Sequence, residues 1–470
     1  MSAPVTAVVL AAGSGTRMKS AKAKVLHEVG GKSLIAHALS AVKEVDPTEI
    51  VVVVGHQGDE VAENVGQVGF PVSVAVQENL IGTADAVRSA IAGRNPRGTV
   101  LITYGDVPLL TGHTLRNLLA DHDGRALTIL SAEVQDPFGY GRIVRDAAGN
   151  VLEIREERDA DENIKRISEI NSGIMAIDAA FLTSALPKIS NNNSQNEFYL
   201  TDIVKIAVTE GLAVGAFVLS DFIQTEGVND RAQLAYLGAE LNRRICRHWM
   251  LEGVTIVDPG TTWIDFDVTI GADTTIAPNT QLLGSTTIGT AAKIGPDTTL
   301  TNVSVGEEAN VIRTHAVDSK IGSRANVGPF SYLRPGTEIE AGAKIGTFVE
   351  VKNSHISADA KVPHLSYVGD AEVGEGANIG AGTIFANYDG QDKNRTVVGK
   401  QARTGSDNVF IAPVEIGDGA YTAAGSTIRE DVPPGALAHN DAPQRNILGW
   451  VAKKRPGSAA DQAAKDATDD

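Results

Sequence analysis

The sequence predicts an α/β chain in three parts: an N-terminal region of alternating strands and helices, one long linking helix, and a C-terminal parallel β-helix of hexapeptide repeats. Three observations carry that expectation. Strand-like apolar runs at Thr6–Leu10, Ile50–Val54 and Val100–Thr103 alternate with helix-length segments at Leu34–Val45 and Ala84–Ala92. From Ile270 onward, aliphatic residues recur at every sixth position. The composition pairs 48 glycines in 470 residues with only 5% aromatics, so part of the chain must be built from small and β-branched residues.

The repeat defines the second half. Its beat runs Ile270, Ile276, Leu282, Ile288, Ile294 and Leu300, with glycine following several of them. After slips of one or two residues it resumes at Ile321, Val327, Leu333, Ile339, Ile345 and Val351, then continues through Ile356, Val362, Val368, Val373 and Ile379. A period of six fits neither an amphipathic helix at about 3.6 nor plain strand alternation. It fits a β-helix whose six-residue faces put one aliphatic side chain inside and a small residue at the corner. Three faces close a coil of about eighteen residues, so residues 252–437 without the irregular stretch 385–395 make about ten coils, stacked about 4.8 Å apart. The narrow interior admits few rings, and tight corners favour Gly, Asn and Asp, which accounts for the composition. Phe385–Arg395 carries no aliphatic beat and is expected to project as a loop. Between the halves, Leu234, Leu237, Leu241, Ile245 and Trp249 fall three and four apart and predict one helix over 231–252. Residues 451–470, rich in Ala, Asp, Lys and Ser, are expected to be a disordered tail.

Charge and cysteine usage narrow the function classes. With 41 basic and 58 acidic residues the net charge is −17, which argues against a broad nucleic-acid or anionic-lipid surface. Small molecules are the expected partners, and any phosphate must be caught locally. No apolar run is long enough for a membrane helix, and the run Ala7–Ala12, cut by Gly13, is too short for a secretory signal. A cytoplasmic protein is expected. The single cysteine, Cys246, agrees with that and excludes an internal disulfide or a multi-thiolate metal site.

The first strand runs into Ala11-Ala-Gly-Ser-Gly-Thr-Arg17-Met18, a glycine-containing loop at the edge where open α/β sheets bind ligands. Gly13 and Gly15 let backbone N–H groups approach a phosphate, and Arg17 adds a bidentate cation. Two glycines alone read more readily as a plain tight turn. With Lys24-Val-Leu-His27 added, the segment Leu10–Met18 resembles the signature of sugar-1-phosphate nucleotidyltransferases. In order, Gln77 with Gly82-Thr83-Ala84 resembles that family's base-reading segment, and Tyr104-Gly105-Asp106 its metal-binding aspartate. Gly139-Tyr-Gly141-Arg142, Glu156, Asn171 and Gly227-Val-Asn229 resemble its sugar and second metal positions, although Glu156 reads equally as a solvated charge. Three departures stand out: Ala23 where the family usually has proline, Asp85 where it has histidine, and Asp230 where it has asparagine. The last two add negative charge beside the expected ligand segments.

Together with the hexapeptide half, the order of motifs resembles the bacterial family of bifunctional N-acetylglucosamine-1-phosphate uridyltransferases/glucosamine-1-phosphate acetyltransferases. That resemblance implies a Rossmann-like nucleotidyltransferase domain over 1–228, a linker helix over 229–251, a left-handed β-helix acetyltransferase domain over 252–450, and a homotrimer. It implies UTP and acetyl-CoA as co-substrates, with Mg²⁺ held by Asp106 and Asn229, a carboxylate and an amide oxygen. Leu10, Ala11, Ala12 and Gly13 would line the nucleotide, and Lys24 and Arg17 would neutralise charge as pyrophosphate leaves.

A hexapeptide prism by itself is often structural. Here polar residues interrupt the beat: Tyr332-Leu-Arg334, Glu350-Val-Lys352-Asn353, Val362-Pro-His364-Leu-Ser-Tyr367, Asn378, Asn387-Tyr388 and Gly405-Ser406. Arg334 and Lys352 fall one coil apart on one face. Acetyl transfer to an amine needs a group to accept a proton, and histidine has the suitable intrinsic pKa, which makes His364 the candidate base. The resemblance assigns Arg334 and Lys352 to the sugar phosphate, and Tyr367 and Asn378 to the sugar. Asn387 and Tyr388 are assigned to contacts with sugar and acetyl-CoA, and Ala381, Ser406, Ala424 and Arg445 to acetyl-CoA. Trp450 is either a cap on the prism or part of a CoA site completed by a neighbouring subunit.

Overall fold

A computed structural model describes residues 3–55, 57–440 and 444–468. Its contacts divide the chain into two compact units, Met1–Ser304 and Val305–Asp470, so the division falls inside the repeat half.

The first unit is organised by a nine-stranded mixed sheet. Its central strand Val5–Leu10 lies between Glu49–Val54 and Thr99–Tyr104, parallel to both, and Ser73–Val76 extends that side in parallel. On the other side Glu169–Asp178 runs antiparallel to Thr99–Tyr104 and to Leu127–Glu133. The central strands are apolar on both faces because both are covered. Val8, Leu10, Val51, Val53, Val100 and Ile102 pack on one side, and Ala7, Val9, Ile50, Val52 and Leu101 on the other. The two expected helices form at Leu34–Lys43 and Thr83–Ile91. The carboxyl ends of four parallel strands consequently open on one edge of the sheet.

The linking helix spans Arg231–Leu251, with Asp230 as its N-cap accepting from the N–H groups of Ala232 and Gln233, both at 2.9 Å. The departure at Asp230 therefore has a local task, satisfying N–H groups that a helix start leaves open. Leu237 and Leu241 bury against Val29, Leu34 and Met18. Asn242 ties the helix to the first coil, donating to Thr262 O at 2.8 Å and accepting from Ile264 N–H at 3.0 Å.

The second half is a run of short parallel strands forming a β-helix. The strand of one face recurs three times in the first unit, from Trp263–Ile264 to Thr298–Thr301, and seven times in the second, from Thr314–Val317 to Thr427–Ile428. That matches the expected ten coils. Every beat residue is buried, and the interior position two residues earlier is mostly a small one such as Thr274, Thr280, Ala325 or Thr337, with Val268 and Val349 the exceptions. Corners are held in the left-handed region by Asp273, Asn279, Asp297, Asp359 and Asp407, as expected.

Three features differ from the sequence expectation. Corners also take Phe330, Phe348 and Leu365 with positive φ. The first two rings stack at 5.3 Å between centroids, a contact worth about 0.5–1.5 kcal/mol, which offsets part of the left-handed strain of the two residues. Phe385 does not belong to the projecting loop. It fills the coil interior, fully buried and edge-on to Phe410 at 5.1 Å, so the ring replaces the aliphatic beat and the loop begins only after Asn387. The tail is not disordered throughout: Trp450–Lys454 and Ala459–Asp466 are helical, the second capped by Ser458 and braced by a Lys465–Asp461 pair at 2.9 Å.

Candidate active sites

In the first unit three neighbouring strand ends are pinned by backbone bonds. Ala11 N–H donates to Val53 O at 2.8 Å, Gly105 N–H to Leu10 O at 2.9 Å, and Gln77 N–H to Val54 O at 2.8 Å. The glycine loop then folds over Lys24. Gly15 has φ +58° and a side chain there would meet Lys24 Cβ at 2.7 Å, so the turn requires glycine. Ala23 holds φ −55°, a value proline also takes, so the backbone here is compatible with the family's proline.

These segments enclose a cavity of about 400 Å³ lined by Leu10, Ala11, Ala12, Gly13, Lys24, Gln77, Gly82, Thr83, Tyr104, Asp106 and Glu197. Lys24 Nζ donates to Asp106 Oδ2 at 2.5 Å. Asp106 O accepts from Val228 N–H at 2.9 Å, which brings Gly227–Asn229 alongside, and Arg17 donates to Asn229 Oδ1 at 2.9 Å. Arg17 itself is exposed and does not line this cavity. Gly105 is buried, and a side chain there would strike Ile35 at 2.7 Å, so it packs the site from behind.

A second cavity of about 270 Å³ shares Thr83, Tyr104 and Glu197 with the first and adds Gly139, Gly141, Glu156 and Asn171. Glu156 is not a freely solvated charge. It accepts from the Thr201 hydroxyl at 2.9 Å, and burial pushes its carboxyl above the usual range, with the Thr201 bond opposing and Asp159 and Asp202 adding to the shift. Burial, then the charges of Glu156 and Asp106, push the Tyr104 phenol well up, so it stays a donor. Arg142 is 1% exposed and paired with Glu157 at 2.7 Å, which makes it a brace for this loop.

In the second unit, register sets the geometry. Leu333 pairs with Val351, which stacks Arg334 and Lys352 one coil apart. Arg334 pairs with Glu350 at 3.0 Å, whereas Lys352 pairs with Asp370 at 2.9 Å. Asp370 also accepts from Asn353 at 2.7 Å and from Asn387. Burial pushes the Asp370 carboxyl up, but the bonds from Asn353, Lys352 and Asn387 outweigh it and hold the group below its ordinary value.

His364 is exposed at a corner, and its ring makes no hydrogen bond among the described residues. The corners of successive coils line up beyond it. Gly382 N–H donates to His364 O at 3.3 Å, Asp407 N–H to Ala381 O at 2.7 Å, and Gly425 N–H to Ser406 O at 2.8 Å. His364, Ala381, Ser406 and the Ala424–Gly425 corner thus form one edge, with Tyr367 three residues past His364 on the next face. Asn378 pairs across the ladder with Lys361. Tyr388 is exposed at the base of the projecting loop, its hydroxyl donating to Gly390 O at 2.7 Å. Arg445 is exposed, and Trp450 lies under the Arg455 guanidinium at 5.4 Å.

A MobA-like NTP transferase domain matches residues 7–169, which hold the first cavity's glycine loop, Lys24 and Asp106. Curated relatives match both halves. The bifunctional protein GlmU of Rhodococcus opacus is 55% identical over 97% of this chain and 94% of that protein. The chain belongs to the bifunctional GlmU family. GlmU proteins of Corynebacterium jeikeium and a Mycobacterium species are similarly related, at 54% and 52% identity over 97% and 98% of this chain.

Within this chain, sequence reasoning missed Asp370, Glu197 and Thr201. Asp370 was within reach: it lies 18 residues after Lys352, the same step that links Lys352 to Arg334. Glu197 and Thr201 sit in an irregular stretch before the helix Asp202–Thr209, where no periodicity points to them.

Proposed function

We propose that the paired cavities of the first unit carry out uridylyl transfer and that the corner holding His364 in the second unit carries out acetyl transfer. Membership in the bifunctional GlmU family makes the chain an enzyme with uridyltransferase and acetyltransferase activities. It makes UDP-N-acetylglucosamine, a cell-wall precursor, from glucosamine-1-phosphate, acetyl-CoA and UTP. The observation that carries the assignment of the first site is the Lys24–Asp106 pair at 2.5 Å, standing in a cavity at the carboxyl edge of the sheet.

For uridylyl transfer, an oxygen of N-acetylglucosamine-1-phosphate attacks the α-phosphorus of UTP in line and pyrophosphate leaves. The attacking phosphate is already ionised, so no base is needed, and Lys24 and Arg17 offset the charge that builds on the leaving group. Asp106 and Asn229 offer one carboxylate and one amide oxygen, hard donors that suit Mg²⁺. Among the described residues no group of three or more His, Cys, Asp or Glu could hold a metal, so the protein's share is small. When bound, Mg²⁺ would supply charge neutralisation at the phosphates.

For acetyl transfer, the sugar amine attacks the thioester carbon: the C–N bond forms, the C–S bond breaks and CoA leaves as the thiol. His364 takes the amine's proton, and N–H groups at Ser406 and Ala424 steady the tetrahedral intermediate. Arg334 and Lys352 hold the sugar phosphate, with Tyr367 and Asn378 at the sugar. Functionally the chain divides at residues 228 and 251, ahead of the compact-unit boundary at Ser304.

The enzyme acts as a cytoplasmic homotrimer, in which the exposed Arg445 and Trp450 complete a neighbour's acetyl-CoA groove beside Asn387 and Tyr388. No helix among the described residues is long and apolar enough to cross a membrane, and the lone Cys246 is buried. Incubation with acetyl-CoA and glucosamine-1-phosphate should release free thiol without UTP, and adding UTP should then yield pyrophosphate and UDP-N-acetylglucosamine. Absence of thiol release from the intact protein would leave only a nucleotidyltransferase.

A further inference from the structure

Gln77 is 5% exposed and lines the first cavity. Its Nε2 donates to Gly82 O at 3.1 Å and to Asp85 Oδ2 at 3.1 Å. A carbonyl and a carboxylate can only accept, so both amide protons are used inside the protein. The flipped amide would set its oxygen against two acceptor oxygens, which fixes the orientation chemically. The Oε1 accepts no hydrogen bond among the described residues and is what Gln77 has left to offer a ligand.

We propose that Asp85 is a positioning residue for nucleobase selection. By holding Gln77 Nε2 it presents a carbonyl oxygen alone to the ligand. That oxygen selects a base edge that donates, such as the imide N–H of uracil, and rejects the ring nitrogen of cytosine, which accepts at the same place. This rests on the reading of Gln77 and Gly82–Ala84 as the base-reading segment. Cytosine would bring its lone pair against the Gln77 oxygen, and sites built around one hydrogen bond reject a mismatched partner strongly. Asp85 also sits in the first turn of the helix Thr83–Ile91, where a carboxylate is favoured by the helix dipole. A role confined to that would change stability and leave base preference untouched.

The test measures kcat and KM with UTP and with CTP on the full chain for Asp85→Ala, Asp85→Lys, Asp85→Asn and Gln77→Ala, with acetyl transfer as the control for folding. Asp85→Ala is expected to raise KM for UTP about tenfold and cut the UTP-over-CTP preference about tenfold with kcat little changed. Asp85→Lys, which puts a donor against the amide, should lower the preference at least as far. Asp85→Asn, whose side-chain oxygen can accept the same bond, should keep most of it. Wild-type preference in Asp85→Ala or in Asp85→Lys, alongside its loss in Gln77→Ala, overturns the role of Asp85 alone. Wild-type preference in Gln77→Ala overturns the base-reading assignment and the proposal with it.

Discussion

The two sites use a like pairing, a cation held by a side-chain oxygen, and assemble it in opposite ways. In the first unit Lys24 and Asp106 are 82 residues apart and Arg17 and Asn229 are 212 apart, brought together by loops that leave different strands. In the second unit Arg334 and Glu350 are 16 apart and Lys352 and Asp370 are 18 apart, brought together by coil stacking. A sheet edge collects residues by topology, whereas a repeat collects them by arithmetic. Burial separates the pairs as well. Lys24–Asp106 and Lys352–Asp370 have side chains no more than 16% exposed, but Arg334 and Glu350 are about 40% exposed, in the range where a surface pair adds little to stability.

Breaking the comparison at its strongest points gives the largest effects. Asp106→Ala should lower uridylyl transfer by at least about 10³-fold in a pyrophosphate-release assay, since it removes the partner of Lys24 and the carboxylate offered to Mg²⁺. His364→Ala should lower acetyl transfer by about 10²–10⁴-fold, read as thiol release. Phe385→Ala empties a ring-sized space inside one coil and should cost about 3–5 kcal/mol, seen as a lowered unfolding midpoint.

Asp370→Asn sharpens the comparison within the second site. It weakens the hold on Lys352 and Asn387, and KM for glucosamine-1-phosphate should rise about tenfold while uridylyl transfer stays unchanged. Its pH signature follows from the depressed carboxyl. The stabilisation is complete above an ordinary carboxylate value of about 4 and is lost as pH falls through the lower folded value. Thermal unfolding below about pH 4 should therefore depend less steeply on pH in Asp370→Asn than in the wild type. The smallest effect is Asp230→Ala, loss of a helix cap worth about 1 kcal/mol, with base selection unaltered.

The repeat half was legible in its architecture because a six-residue period has one structural solution. Ile270 through Ile379 all point inward as the beat requires. It was less legible where the period is carried by another residue type: Phe385 does an aliphatic residue's packing, and Phe330 takes a corner that small polar residues usually hold. Asp370 was missed because its function lies in partners on neighbouring coils, Lys352, Asn353 and Asn387, which the six-residue beat does not mark. The first site was legible only through motif order. Nothing local in Lys24-Val-Leu-His27 points to Asp106, and Asp85 and Asp230 read alike as added charge, although one directs an amide and the other caps a helix. The tail's low complexity concealed two short helices held by local capping and an i,i+4 pair.

The central claim is two reactions at two separate sites, and one paired assay tests it most directly. Asp106→Ala and His364→Ala are each assayed for thiol release with acetyl-CoA and glucosamine-1-phosphate, and for pyrophosphate release with UTP and N-acetylglucosamine-1-phosphate. Each variant should lose one reaction and keep the other near the wild-type rate. Loss of both reactions in either variant would contradict separate sites.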